Sequence, residues 1–216
     1  MIAMPKILSF EKYAEQYDDW FSENQWVYEA EIRAVKSMIP ASGRGVEIGV
    51  GTGRFAEPLG IKIGVDPSKR MGEIARKRGI RVLNGVAEEL PLNDAIFDFV
   101  LMVTTICFVD DINKTLLEAH RVLAPGGCII VGFVDSNSLV GKTYLDRKNE
   151  SVFYRDATFF PTDKVVELMH QAGFGDLAFK QTIFKSLVET TRDEPVKSGH
   201  GEGSFVVIRG SKSKLT

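Results

Sequence analysis

GVEIGVGTGRF, residues 45–55, is the most informative stretch of the chain. A short apolar run ends in glycines at every second position, Gly49, Gly51 and Gly53, and Glu47 stands two residues before the first of them. A glycine turn between a parallel strand and a helix lets backbone approach a ligand closely, where a side chain would collide. The pattern predicts a binding loop, although a tight structural turn would carry the same letters.

The residues that follow the loop limit the classes of ligand that it could bind. A dinucleotide-binding loop needs a third glycine where this chain has Arg54. The next apolar run, IKIGVD, ends in Asp66, and a carboxylate at the end of a neighbouring strand can accept hydrogen bonds from both hydroxyls of a ribose. The alternative is that Asp66 only caps the helix that begins after Pro67. Loop, acid and helix together favour a nucleoside-bearing ligand other than a dinucleotide.

Short apolar runs alternate with helical patterns through the middle of the chain. This alternation predicts an α/β fold whose parallel sheet is covered by helices on both faces. The predicted strands are 45–50, 61–65, 80–84, 97–104, 128–134, 177–185 and 204–209. The predicted helices are 10–22, 25–39, 53–59, 68–78, 111–123 and a late one that begins at 161.

Composition and charge limit the function classes. The 216 residues have 44% hydrophobic and 26% charged side chains, which favours one globular domain, 1–216. A net charge of −2 disfavours nucleic acid as a partner. No signal-peptide or membrane-spanning pattern is evident, so we expect a cytoplasmic protein. Cys107 and Cys128 lie in apolar runs, which predicts neither a disulfide nor a metal site.

Seven blocks carry a family resemblance from about Phe10 to Arg209. They are YAEQYDDWF, VEIGVGTGRF, GVDPSKRM, NGVAEELPLNDAIFDFVLMV, LLEAHRVLAPGGCIIVG, FFPTDKVVELMHQAGF and GSFVVIR. With these blocks the chain resembles class I S-adenosylmethionine-dependent methyltransferases, most of all the small-molecule branch that includes ubiquinone and menaquinone biosynthesis enzymes. The resemblance implies a Rossmann-like, mostly parallel sheet of seven strands with the last strand antiparallel beside the fifth, and an N-terminal helical lid.

The resemblance also implies a donor site for S-adenosylmethionine, with S-adenosylhomocysteine as the product. The glycine loop would pass under the methionine part, Asp66 would hold the ribose, and Met71 would pack on the adenine. The family often has aspartate where this chain has Val86, which leaves Ala87 and Glu88 for the adenine edge. The implied cofactor-binding residues are Tyr17, Glu47, Gly49, Val50, Gly51, Gly53, Asp66, Pro67, Met71, Ala87, Glu88, Val103 and Thr104.

The acceptor side is less determined. The resemblance divides the chain into lid helices 10–39, a cofactor-binding core 44–135, and substrate-cover segments 136–160 and 186–203. Phe108, Tyr144, Phe153 and Tyr154 are the candidate substrate contacts. We expect transfer by in-line displacement to O, N or C of a small molecule, and a base is needed only when the acceptor must first lose a proton. The candidate base is His200, and we expect a monomer or homodimer.

Three other functions stay open at this stage. A methyltransferase acting on RNA or protein is disfavoured by the charge and by the absence of the N/D-P-P-Y/F motif of amino-methylating enzymes. A nicotinamide-dependent oxidoreductase is disfavoured by Arg54. A non-catalytic cofactor-binding protein would show the same donor motifs.

Overall fold

In the computed structural model, which describes residues 6–214, eight strands form one mixed sheet in the order β3-β2-β1-β4-β5-β8-β6-β7. The five strands from β3 to β5 are mutually parallel, β8 is antiparallel to both β5 and β6, and β7 is antiparallel to β6. The strands are β1 Gly45–Ile48, β2 Ile63–Asp66, β3 Arg81–Asn84, β4 Phe97–Val103, β5 Leu123–Val134, β6 Phe174–Thr182, β7 Lys197–Ser198 and β8 Phe205–Lys212.

Helices cover both faces of this sheet. They are α1 Leu8–Lys12, α2 Ala14–Glu23, α3 Gln25–Lys36, α4 Lys69–Lys77, α5 Ile112–Val122, α6 Leu139–Asp146 and α7 Thr162–Gln171, with short 3-10 turns at Lys148–Glu150 and Leu187–Glu189. Strands β4 and β5 are buried along most of their length and contribute side chains to two apolar clusters, one on each face. This explains their near-continuous apolar runs. In residues 6–214 we find no helix with the length and apolar character needed to cross a membrane.

The predicted fold class and the antiparallel last strand beside the fifth are confirmed. The count of seven strands is wrong by one, because the polar segment 186–203 contains the two-residue strand β7. β7 pairs with Lys180 and Gln181 at the outer edge of the sheet. Two residues without apolar alternation carry no strand pattern, so β7 has no signal in the sequence.

The predicted helix at 53–59 is also wrong, because residues 51–60 form successive turns. Pro58 has no N–H to donate to the carbonyl of Arg54, which an α-helix would require. That carbonyl instead accepts a hydrogen bond from the hydroxyl of Tyr28. A tertiary contact therefore takes the place of the missing helical bond.

Two further boundaries differ from prediction. The first predicted helix is divided at Tyr13, whose φ of −123° and ψ of 34° interrupt the helical path between α1 and α2. Segment 136–160 contains helix α6, which begins after Ser138, whose hydroxyl accepts from Gly141 N at 3.0 Å. Gly141 is needed here, since a Cβ would lie 2.0 Å from the Asp135 carbonyl oxygen.

Candidate active site

A cavity opens at the carboxyl ends of β1, β2 and β4. The strand order reverses between β1 and β4, and ligands of open α/β sheets bind at such a reversal. The cavity brings together most of the predicted cofactor-binding residues and one predicted substrate contact. Those that line it are Tyr17, Gly49, Gly51, Asp66, Pro67, Met71, Ala87, Glu88, Val103, Thr104 and Phe108.

The three loop glycines serve different purposes. All have positive φ, which favours glycine: +70° at Gly49, +51° at Gly51 and +86° at Gly53. A Cβ on Gly49 would lie 2.4 Å from the Thr105 side chain, and one on Gly53 would lie 2.4 Å from a methyl group of Ile80. At Gly51 the nearest atom is 3.8 Å away, on the Tyr17 ring. Gly49 and Gly53 are therefore also required by packing, whereas Gly51 keeps backbone open to the cavity.

Asp66 connects the loop to the next helix. Its Oδ2 accepts from Gly51 N and its Oδ1 from Ser68 N, both at 2.8 Å. Burial raises the pKa of the carboxyl to about 6, although these hydrogen bonds favour the charged form. Ser68 caps α4 by accepting from Met71 N at 3.1 Å. Capping is thus the work of Ser68, and Asp66 fixes the turn while also lining the cavity.

Three predicted residues do not line this cavity: Glu47, Val50 and Gly53. Glu47 is 2% exposed, and its Oε2 has no hydrogen-bond partner in residues 6–214. Burial raises its pKa well above the usual value. It lies on β1, just before the glycine loop, so any contribution to binding is made through the loop backbone.

Arg54 has a structural role that its sequence position did not reveal. Its Nε donates to Asp18 Oδ1 at 2.8 Å, and one of its terminal nitrogens donates to Asp18 Oδ2 at 2.6 Å. Arg78 donates to the same two oxygens at 2.9 and 2.8 Å, and to the Thr52 carbonyl at 2.6 Å. Burial alone would raise the pKa of Asp18, but the two guanidinium groups hold that pKa well below its usual range. This Asp18 cluster fastens α2 to the glycine loop and to the end of α4.

At the far end of the cavity Val86 lines the wall where the family often has aspartate. Glu88 Oε1 accepts from the backbone N–H of Asp110 at 2.7 Å and of Asp111 at 3.2 Å, so this oxygen is engaged in holding the turn before α5. Several lining residues were not predicted, because they carry no motif of their own. They are Lys6, Ile7, Phe10, Val65, Ser68, Gly85, Val86, Val109 and Asp110.

A second, larger cavity lies beside the first. Tyr17 and Thr104 line both cavities, and Thr104 has the unusual φ of +50°. Strained backbone of this kind is found disproportionately at functional sites. Of the predicted substrate contacts, Tyr144, Phe153 and Tyr154 line the second cavity, while Phe108 lines the first.

His200 is not brought to either cavity. Its ring lies 4.9 Å from that of Phe179, and the N–H of Gly199 donates to the Phe179 carbonyl at 3.1 Å. β7 is the outermost strand of the sheet and runs antiparallel to β6. It therefore leads the chain away from the edge of the sheet at which β6 ends. The structure therefore gives no support to His200 as a base.

Comparisons with known proteins agree with this geometry. Residues 46–131 match the Methyltransf_11 family model, a methyltransferase domain. The chain is similar to a crystallised S-adenosylmethionine-dependent methyltransferase of Thermotoga maritima, described as a possible histamine N-methyltransferase. The two share 55% identity and a TM-score of 0.94 over 96% of this chain and 100% of that one.

Two relatives extend the comparison. An uncharacterized protein of Methanocaldococcus jannaschii is 50% identical over 94% of this chain and 98% of its own length. A demethylmenaquinone methyltransferase of Staphylococcus saprophyticus is 29% identical over 67% of this chain and 76% of its own length. The chain therefore belongs to the class I S-adenosylmethionine-dependent methyltransferases and is an enzyme of that family.

Proposed function

We propose that the enzyme binds S-adenosylmethionine in the first cavity and transfers its methyl group to a small molecule held in the second. The observation that supports this division is that Tyr17 and Thr104 line both cavities. Reacting groups that enter from the two sides meet between these residues. The second cavity is bordered by α2, α6 and the turn Leu187–Glu189, which suits a small acceptor better than a macromolecule.

The residues of the first cavity fit the donor. Gly51 leaves backbone open to the cavity, and Asp66 keeps lone pairs free for ribose hydroxyls after accepting from two amides. Met71 is fully buried beneath the cavity and offers an apolar surface to a flat base. Glu47 lies behind the loop with its Oε2 unpartnered, and because burial raises its pKa it supports the loop as a polar group and does not supply a charge.

When bound, the sulfonium supplies an already activated methyl group. The chain's own contribution is alignment and exclusion of water, which together account for several powers of ten in rate. Tyr17 and Phe108 contact Phe10 with ring centroids 5.5 and 4.8 Å apart, so aromatic rings close the first cavity on the lid side. The names of the relatives differ in acceptor, one naming demethylmenaquinone and another histamine, so they support methyl transfer more than any one acceptor.

Calorimetric titration with S-adenosylhomocysteine tests the donor site. We expect saturable binding that Asp66→Ala weakens by on the order of 1.5 to 3 kcal/mol, because charge-assisted hydrogen bonds are lost. The control is Asp163→Ala, which removes an exposed carboxylate at the start of α7 and should leave binding unchanged. Absence of binding to the unaltered protein would overturn the proposed function.

A further inference from the structure

Glu31, on the inner face of α3, lines the second cavity and is 5% exposed. In residues 6–214 it has no hydrogen-bond or ion-pair partner, and burial raises its pKa. Asp66, Asp135 and Glu194 are also buried, but each accepts at least one backbone N–H. The buried Glu47 likewise has an unpartnered oxygen, but it does not line the second cavity. Burying a carboxyl without a hydrogen-bond partner lowers the stability of the fold. Because Glu31 stands at the wall of a cavity, we take its partner to be a ligand.

The surroundings of Glu31 are aromatic. Tyr144 and Tyr154 stack with centroids 4.8 Å apart, and burial followed by the Glu31 charge raises the pKa of Tyr144. Trp20 and Phe153 line the same cavity. Aromatic faces attract cations and pack against apolar groups, so a carboxylate among them suits an organic cation.

The remaining charges of the cavity agree with a cationic occupant. Besides Glu31, its charged lining residues are the exposed Glu23, Arg147 and Glu150. Glu31 is largely protonated before a ligand enters, so two carboxylates, those of Glu23 and Glu150, stand against one guanidinium. Arg147 lies at the exposed rim after α6 and forms no ion pair with Glu31. A cleft lined by excess negative charge favours entry of positive ligands.

From this arrangement, and resting on the proposed function, we infer that Glu31 pairs with a protonated amine of the methyl acceptor. The substrate class is then a small amine with an aromatic or apolar body. Burial raises the pKa of Glu31 to about 8, so the carboxyl is largely protonated near neutral pH before ligand enters. A bound cation favours the charged carboxylate, so amine binding should release protons.

Titration of the complex with saturating S-adenosylhomocysteine tests this inference. The probes are phenylethylamine, histamine and hexylamine, with phenylethanol and phenylpropionate as neutral and anionic counterparts. We expect at least one amine to bind about tenfold or more tightly than phenylethanol and phenylpropionate, and Glu31→Gln to abolish the preference. Titration in buffers of different ionisation enthalpy should show proton release by the unaltered protein and none by Glu31→Gln.

Glu150→Gln is the matched control, since Glu150 lines the rim but is exposed. It should retain the preference for amines. Both variants should bind S-adenosylhomocysteine as the unaltered protein does, which separates a failure here from a failure of the donor site. The inference is overturned if no amine binds, if amines and phenylethanol bind equally, or if Glu31→Gln retains the preference and the proton release.

Discussion

Asp66 and Glu31 show how the surroundings of a carboxyl determine its behaviour. Both are more than nine-tenths buried, and burial raises the pKa of each. Two backbone amides hold Asp66, which keeps its pKa near 6, whereas Glu31 has no such donors and its pKa reaches about 8. Asp66 is therefore supported by the protein itself, while Glu31 carries an uncompensated desolvation penalty.

This penalty predicts a pH effect on stability. Between about 4.5 and 8, the unfolded chain has lost the Glu31 proton while the folded chain retains it, so the free energy of unfolding falls as pH rises. The slope is at most about 1.4 kcal/mol per pH unit. Glu31→Gln should remove this contribution, so its advantage in urea denaturation should grow from pH 5 to pH 8. Curves that stay parallel for the variant and the unaltered protein would contradict the burial of an unpaired carboxyl.

At the scale of elements, the Asp18 cluster makes the lid and the loop interdependent. Asp18 on α2 accepts hydrogen bonds from Arg54 of the glycine loop and from Arg78 at the end of α4. The Tyr28 hydroxyl of α3 also donates to the Arg54 carbonyl. The ion-pairing groups of Asp18, Arg54 and Arg78 are only 16 to 22% exposed. Such pairs are less screened than surface ones, so the cluster fixes how α2 lies over the first cavity.

Asp18→Asn should loosen this connection. We expect a loss of about 1.5 to 3 kcal/mol in the free energy of unfolding, since two charge-assisted pairs are weakened. Hydrogen exchange should become faster in α2 and in residues 51–60. Glu15→Gln is the matched control on the same helix, because the Glu15 pair with Arg70 is exposed and worth little. Equal effects of the two substitutions would show that the cluster does not hold the lid.

At the scale of the whole molecule, the strand order brings the residues of the first cavity together at the edge of the sheet where the parallel strands end. The carboxyl ends of β1, β2 and β4 meet at the first cavity, while β7 lies at the opposite end of the strand order. If the first cavity holds the donor, as we propose, segments that are distant in sequence share one ligand. Their stabilities become coupled when that ligand binds.

S-adenosylhomocysteine at one hundred times its Kd should raise the free energy of unfolding by about 2.7 kcal/mol. Hydrogen exchange should slow at the loop, at Asp66 and at Thr104, and stay unchanged in β7. NADH is the comparison ligand, because Arg54 stands where a dinucleotide loop has glycine. Stabilisation by NADH equal to that by S-adenosylhomocysteine would favour an oxidoreductase.

Many residues of the first cavity were predictable from the sequence, because the patterns that mark them are local. Gly49 and Gly51 with Asp66 mark the ends of two strands, and each pattern spans only a few residues. The apolar runs of β4 and β5 likewise indicate strands buried on both faces. The missed helix α6 had a local signal in Ser138, but its mixed aromatic surroundings concealed the helical period.

Local pattern alone therefore indicated the fold class and the binding loop, and the family resemblance carried by the seven sequence blocks implied the donor. The tertiary structure alone decided that Arg54 bonds Asp18, that His200 turns away with β7, and that Glu31 faces a cavity without a partner. The physical reason is distance along the chain. Whether a buried group finds a partner depends on residues that folding brings together from separate segments, and no local period records that encounter.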